Sequence, residues 1–206
     1  MTIYTSLAYG VLYLIFFVYP YSFQGVREWS LETASLPFLA VAAGVLFAGL
    51  AMAIFNKLWW LPRFLRNRMK VNPEDRIFPL IASSIILPTG LFWFAWTSNK
   101  NTTWVPQVLA GIFIGAGIML PFLSGTAYLI DVYLLNANSA LAANICIRSI
   151  SAAAFPLFAK PMYERLGVAW ATSLLAFFCV ALIPFPIVLW RYGKKIRGWS
   201  KYSFEL

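Results

Sequence analysis

Residues 36–55 read LPFLAVAAGVLFAGLAMAIF, an uncharged run bracketed by Glu32 and Lys57. A helix rises 1.5 Å per residue, so a run of this kind reaches about 30 Å, the thickness of a bilayer's hydrocarbon core. Reading the gaps between charged residues the same way places six spans, at about 2–23, 36–55, 77–97, 105–130, 139–158 and 168–190. Residues 191–206 follow as a basic cytosolic tail. The fold class is therefore all-α, a polytopic membrane bundle of about six transmembrane helices in a single domain covering 1–206.

Composition demands the same class. Hydrophobic residues make up 61% of the chain, charged residues 11%, and the mean hydropathy is +0.74. A soluble chain of 206 residues could not cover its surface with so few polar groups. The lipid bilayer is then the first partner. The formal charge of +9 does not point to nucleic acid, because the basic residues gather at the ends of apolar runs rather than on one face. Cys146 and Cys179 fall inside apolar stretches and read as small buried hydrophobes, not a disulfide. Residues 1–23 read as the first span. They lack the positive leader and small-residue cleavage site of a signal peptide.

Orientation follows from the loops. Lys57, Arg63, Arg66, Arg68, Lys70 and Arg76 lie between spans two and three, and Arg191, Lys194, Lys195, Arg197 and Lys201 lie after span six. Those eleven fall on one side, against Arg27, Lys100, Lys160 and Arg165 on the other. The positive-inside rule puts both termini in the cytosol. Trp29, Trp59, Trp60, Trp96, Trp104, Trp170, Trp190 and Trp199 sit near span ends, where amphipathic rings prefer the headgroups. The sequon Asn101-Thr102-Thr103 sits in too short a loop and reads as an unmodified turn.

Ionisable groups within spans need a reason, since each costs on the order of 3 kcal/mol at mid-span. Asp131, near the cytosolic end of span four, and Arg148, two to three turns into span five, are the candidates. They either form an ion pair at the cytosolic mouth, or Asp131 is interfacial while Arg148 snorkels. Helical spacing adds Ser124 and Tyr128 to the stripe of Asp131, continued by Gly117 and Pro121, as a polar, cavity-lining face. A second face of span four carries Gly111, Gly115, Phe122 and Gly125, and suits close helix packing. Asn144, Arg148 and Ser151 share a face of span five. Span one offers Tyr9, Tyr13 and Phe17 on one side: either plain packing or a surface for organic cations or flat apolar solutes. Prolines recur inside spans, at Pro88, Pro121, Pro156, Pro184 and Pro186, and bend helices there.

Catalysis is not expected. The chain has no histidine, so Leu123-Ser124-Gly125 has no base to activate its hydroxyl, and Asp131 has no second membrane aspartate beside it. No metal-ligand spacing or phosphate loop occurs, and no metal or cofactor is expected.

Asn72-Pro73-Glu74-Asp75-Arg76 followed by Leu87-Pro88-Thr89-Gly90-Leu91-Phe92-Trp93-Phe94-Ala95-Trp96-Thr97 resembles the eighth-to-ninth loop and ninth helix of fungal major facilitator transporters of the drug:proton antiporter type. That type includes polyamine and multidrug exporters. Tyr128-Leu129-Ile130-Asp131-Val132-Tyr133, Ser139–Asn144 and Arg148-Ser149 resemble its tenth and eleventh helices, and Ala153–Phe158, Leu166-Gly167 and Pro184-Phe185-Pro186 continue into the twelfth. Tyr19-Pro20 fits the seventh, although Phe17-Val18 stands where family members often carry an acid. The resemblance implies the C-terminal six-helix half of a twelve-helix carrier, with spans one and four lining a cavity and span five near the interface between halves, where Asn144 and Arg148, with Asp131, would have a gating or structural role. It further implies proton-driven export of small organic molecules, drugs or polyamines, from the plasma membrane rather than the vacuolar membrane. The expected partner is an N-terminal six-helix half or a second copy; the alternative is a truncated, non-transporting fragment.

Overall fold

The structure is a computed structural model that describes residues 1–66, 72–100 and 102–197. Arg68, Lys70, Asn101, Trp199 and Lys201 lie outside the described residues. Every regular element among the described residues is helical.

Helix α1 spans Thr2–Val26. It is α-helical to Pro20 and widens into a π-turn over Tyr21–Val26, after a proline that gives no N–H to the ladder. Helix α2 covers Leu31–Arg66. Its first turn is capped by Ser30, whose hydroxyl accepts from the Thr33 N–H. Helix α3 is Pro73–Thr97 and α4 is Trp104–Tyr133. From Trp104 helical residues continue to Lys195, 92 residues in all. As one rod that stretch would reach about 140 Å, several bilayers deep. Two reversals divide it. Leu134 leaves α4 at φ 32° into a 3₁₀ turn over Leu134–Asn136. Gly167 adopts φ 71°, ψ 170°, a conformation that costs little only without a Cβ. Helix α5 therefore occupies 137–166 and α6 occupies 168–197.

Several helices outrun their apolar cores. Lys57, Arg63 and Arg66 ride the end of α2, and Lys160 and Glu164 form an exposed pair 3.9 Å apart on the last turns of α5. A helix satisfies its own backbone, so it need not stop where the lipid does. Charges mark the membrane edge rather than the helix end.

Helix α4 sits at the centre, against α1, α2, α3 and α5. On its α2 side the two backbones nearly touch. A Cβ on Gly44 would overlap the Ile112 carbonyl oxygen, and one on Gly115 would overlap that of Val41. Gly111 leaves room for the Tyr19 ring, stacked 5.0 Å from both Phe38 and Phe94. The expected packing face at Gly111 and Gly115 thus meets α2. Gly117, expected on a polar stripe, instead lies against the Leu87 backbone of α3.

The other pairings read directly from ring contacts. Helices α3 and α6 run antiparallel through Trp96–Trp170, Phe92–Phe177 and Phe78–Trp190. Helices α1 and α5 run parallel, from Thr2–Asn144 to Phe17–Tyr163. Cys179 is buried, whereas Cys146 is exposed on α5, against the expectation that both are buried. Residues one turn apart share a face, and α5 turns that face outward.

Leucine at Gly44 or Gly115 is expected to force α2 and α4 apart, lowering stability by about 1–3 kcal/mol in thermal unfolding of the detergent-solubilised protein. Gly49→Ala, where nothing lies within 4 Å of the added carbon, is expected to be neutral or slightly stabilising in the same assay.

Candidate functional site

Three of the expected cavity residues, Tyr9, Tyr13 and Phe17, follow one another up α1 at four-residue spacing and so share a face. Tyr9 meets Tyr13 edge-on at 5.1 Å and Phe122 of α4 edge-on at 5.7 Å. Into this cluster α5 sends Arg148, whose guanidinium lies 4.6 Å from the Tyr9 ring and 4.7 Å from the Phe122 ring. Phe17 sits further up, against Tyr21 and Tyr163. Tyr13 is exposed, and Tyr9, Phe17, Phe122 and Arg148 are half-buried, so the cluster opens to one side of the bundle.

Ser124 and Tyr128 do not share that opening. Ser124 is fully buried with its hydroxyl donating to the Leu120 carbonyl at 2.8 Å, and Tyr128 is packed near Tyr4, Leu80 and Val132. A central helix spends its small and polar residues on neighbours. Phe122, by contrast, had been grouped with the packing glycines, yet it reaches the aromatic cluster. A straight 3.6-residue helix drifts against any fixed repeat, and Pro121 lies inside α4. One stripe can therefore meet α2 at Gly115 and α1 at Gly125.

Asp131 pairs with Arg76, not with Arg148. The Arg76 Nε donates to Asp131 Oδ2 at 2.8 Å, Nη1 donates to Asn56 Oδ1 at 2.8 Å, and the guanidinium lies 3.9 Å from the Trp60 ring. Both partners of the pair are largely buried, at 13% side-chain exposure each. The helix directions explain the outcome. Arg76 starts α3 where Asp131 ends α4, so both are at the same end of the bundle. Arg148 lies about 16 Å into α5 at 1.5 Å per residue, too deep to reach. Asn144 has a separate role: its side-chain amide donates to the Thr2 hydroxyl at 3.1 Å and ties α5 to α1.

An equivalent clamp at the opposite end escaped the sequence reading. Arg27 donates to Gln107 Oε1 at 2.8 Å, to the Thr102 carbonyl at 2.7 Å and to the Thr97 carbonyl at 3.0 Å. Gln107, fully buried, passes the contact on to the Ser22 hydroxyl at 2.6 Å. A buried glutamine within an apolar span was the available signal. Beside it Lys100 donates to Glu28 at 2.7 Å and holds that carboxyl below its usual range, but both are solvent-exposed and add little stability.

The structure is thus a polytopic helical bundle with charged clamps at both ends and a cationic, aromatic-lined opening between them. Over nearly its whole length this chain is similar to the major facilitator transporters of fungi. It is 53% identical over 204 residues to the citrinin biosynthesis cluster transporter of Monascus ruber, covering 98% of this chain and 40% of that protein. The ascochitine biosynthesis cluster transporter of Didymella fabae is 49% identical over 207 residues, with 100% and 40% covered. A multidrug transporter of Aspergillus fumigatus is 42% identical over 207 residues, with 98% and 33% covered. The chain thus spans about two-fifths of the length of the first curated relatives that it matches. No family model matches it, and no solved structure does.

Removing one side of the Arg76–Asp131 clamp strands a buried charge. Arg76→Gln and Asp131→Asn are each expected to cost about 3–5 kcal/mol in thermal unfolding in nanodiscs, while replacing both with leucine recovers most of the loss.

Proposed function

We propose that the chain forms one six-helix half of a major facilitator carrier, the C-terminal half, that moves small organic solutes across a membrane. The observation that carries the reading is the coincidence of two things. Similarity to transporters extends over 98% of the chain, and, among the described residues, the one cation well inside a span faces an open aromatic cluster rather than a carboxylate. Two rigid halves rocking about a central site would alternately expose it, and α1 and α4 supply its floor on this side. The clamps at Arg27 and Arg76 keep the half a rigid body while it moves.

The covering half is a further six-helix unit, in the same polypeptide or paired with it, and α5 is the surface it would cover. Most of that helix is exposed, with Ser139, Ala142 and Ser149 interspersed among the exposed Ile145, Ile147, Ile150 and Leu157, whereas 38–55 of α2 has no polar side chain. Export driven by an inward proton flux from a plasma membrane is the mode we favour, with both termini cytosolic as the basic residues prescribe. Drug-like solutes fit better than polyamines. A polycation needs carboxylates, and Asp131 is already engaged by Arg76.

Two measurements test this. An antibody to the C-terminal segment should detect a native polypeptide near twice 23.2 kDa, or a 23.2 kDa chain that cross-links to a second six-helix unit. That native protein, reconstituted in vesicles, should move a fluorescent organic dye in response to an imposed pH gradient, and a protonophore should abolish the movement. Dye retained equally with and without the protein would remove the carrier reading.

A further inference from the structure

Arg148 carries a charge that the fold does not neutralise. Among the described residues no carboxylate, carbonyl or amide meets its guanidinium, and its Nε is buried without an acceptor. The acidic side chains among the described residues are placed elsewhere: Glu28 and Glu32 near one end, Glu74, Asp75 and Asp131 near the other, and Glu164 beside Lys160. Two ring faces offset part of the cost of desolvating the cation. They do not fill the directional donors of a planar guanidinium.

Below Arg148 lies a cavity of about 440 Å³ between α1, α4 and α5. It reaches Asn144 one turn beneath and Ile147 beside, and its polar lining is neutral: Thr2, Tyr133, Asn136 and Ser139. No acid lines it. The volume suits a small flat molecule, and binding sites of this size are mostly apolar with few placed polar groups.

We infer that Arg148 is the docking group for a carboxylate carried by a flat aromatic solute, with Tyr9 and Phe122 flanking it, so that the carrier's solute class is the aromatic organic anion. The inference rests on the carrier reading above for its physiological meaning but not for its chemistry. A guanidinium accepts a carboxylate through two parallel hydrogen bonds, an arrangement neither a neutral amide nor an amine can make. The exposed ring of Tyr13 and the half-buried ring of Phe122 offer apolar and edge contacts to the body of the solute. An organic cation, suggested by the tyrosines of α1 alone, would meet like charge.

The test uses three probes with one ring system and different charge: 2-naphthoate, 2-naphthamide and 2-naphthylmethylammonium. Each is titrated calorimetrically into the native polypeptide in nanodiscs. The naphthoate is expected to bind about tenfold or more tightly than the amide, and the cation most weakly. Arg148→Gln should erase the preference, Arg148→Lys should keep part of it, and Tyr9→Leu should weaken all three probes without changing their order. Equal binding of the three, or a preference that persists in Arg148→Gln, overturns the proposal. So does naphthoate binding no better to the native polypeptide than to Arg148→Gln, because an acidic side chain from outside this chain then occupies the guanidinium. Should Arg148→Gln not fold, the rank order of the probes in the unmodified protein decides. Anion-selective binding without dye or solute movement would leave the site standing and remove the carrier reading; movement without anion preference would do the reverse.

Discussion

The contact on which the bundle depends is the near-touching of α2 and α4 at Gly44 and Gly115. Lipid tails are as apolar as leucine, so no hydrophobic force drives these helices together; close packing and internal polar contacts must do it. Two glycines remove the side chains that would otherwise hold the axes apart, and each backbone nests against a carbonyl of the other. Once α2 is held there, α4 is fixed in rotation. Its remaining faces then meet α3 through Gly117 and α1 through Gly125, and the tryptophan and phenylalanine pairs hang α6 on α3.

Polar groups are distributed by the same economy. At each membrane edge one arginine gathers the ends of several helices: Arg27 joins α1 to the α3–α4 turn and to Gln107, and Arg76 joins α3 to Asp131 of α4 and Asn56 of α2. Arg27 donates through its Nε and both Nη atoms and Arg76 through its Nε and Nη1, because a buried charge without partners would cost more than it gives. Against that background Arg148 is the exception, deep in α5 with rings beside it and no acceptor for its Nε among the described residues. The contrast, rather than its depth alone, is the ground for the role proposed for it.

On the proposed carrier reading, a fixed cation in the opening constrains the solutes that fit. The aromatic faces by themselves are permissive, since a ring attracts cations and stacks with flat neutral solutes alike. Arg148 occupies those faces itself, so in the proposed site the opening would favour the opposite sign of charge. Which side chain reaches the shared rings first is a tertiary outcome on top of a permissive surface.

Composition and charge spacing were enough to determine the all-α membrane class, about six spans, and the packing role of Gly111 and Gly115, because lipid imposes one rule on every residue of a span. Tyr9, Tyr13 and Arg148 also stood out, as polar or aromatic groups on periodic faces. The partners were not legible. Asp131 and Arg148 sit on adjoining helices joined by a short turn, and only their depths separate them, bringing Arg76 to Asp131 from a helix earlier in the chain. Ser124 and Tyr128 looked like cavity residues because α4 has a polar stripe, but a hub helix has neighbours on most sides and buries it. Periodicity along one helix says which residues share a face. Which neighbour that face meets depends on helix rotation and crossing, and those are fixed by packing between segments far apart in the sequence.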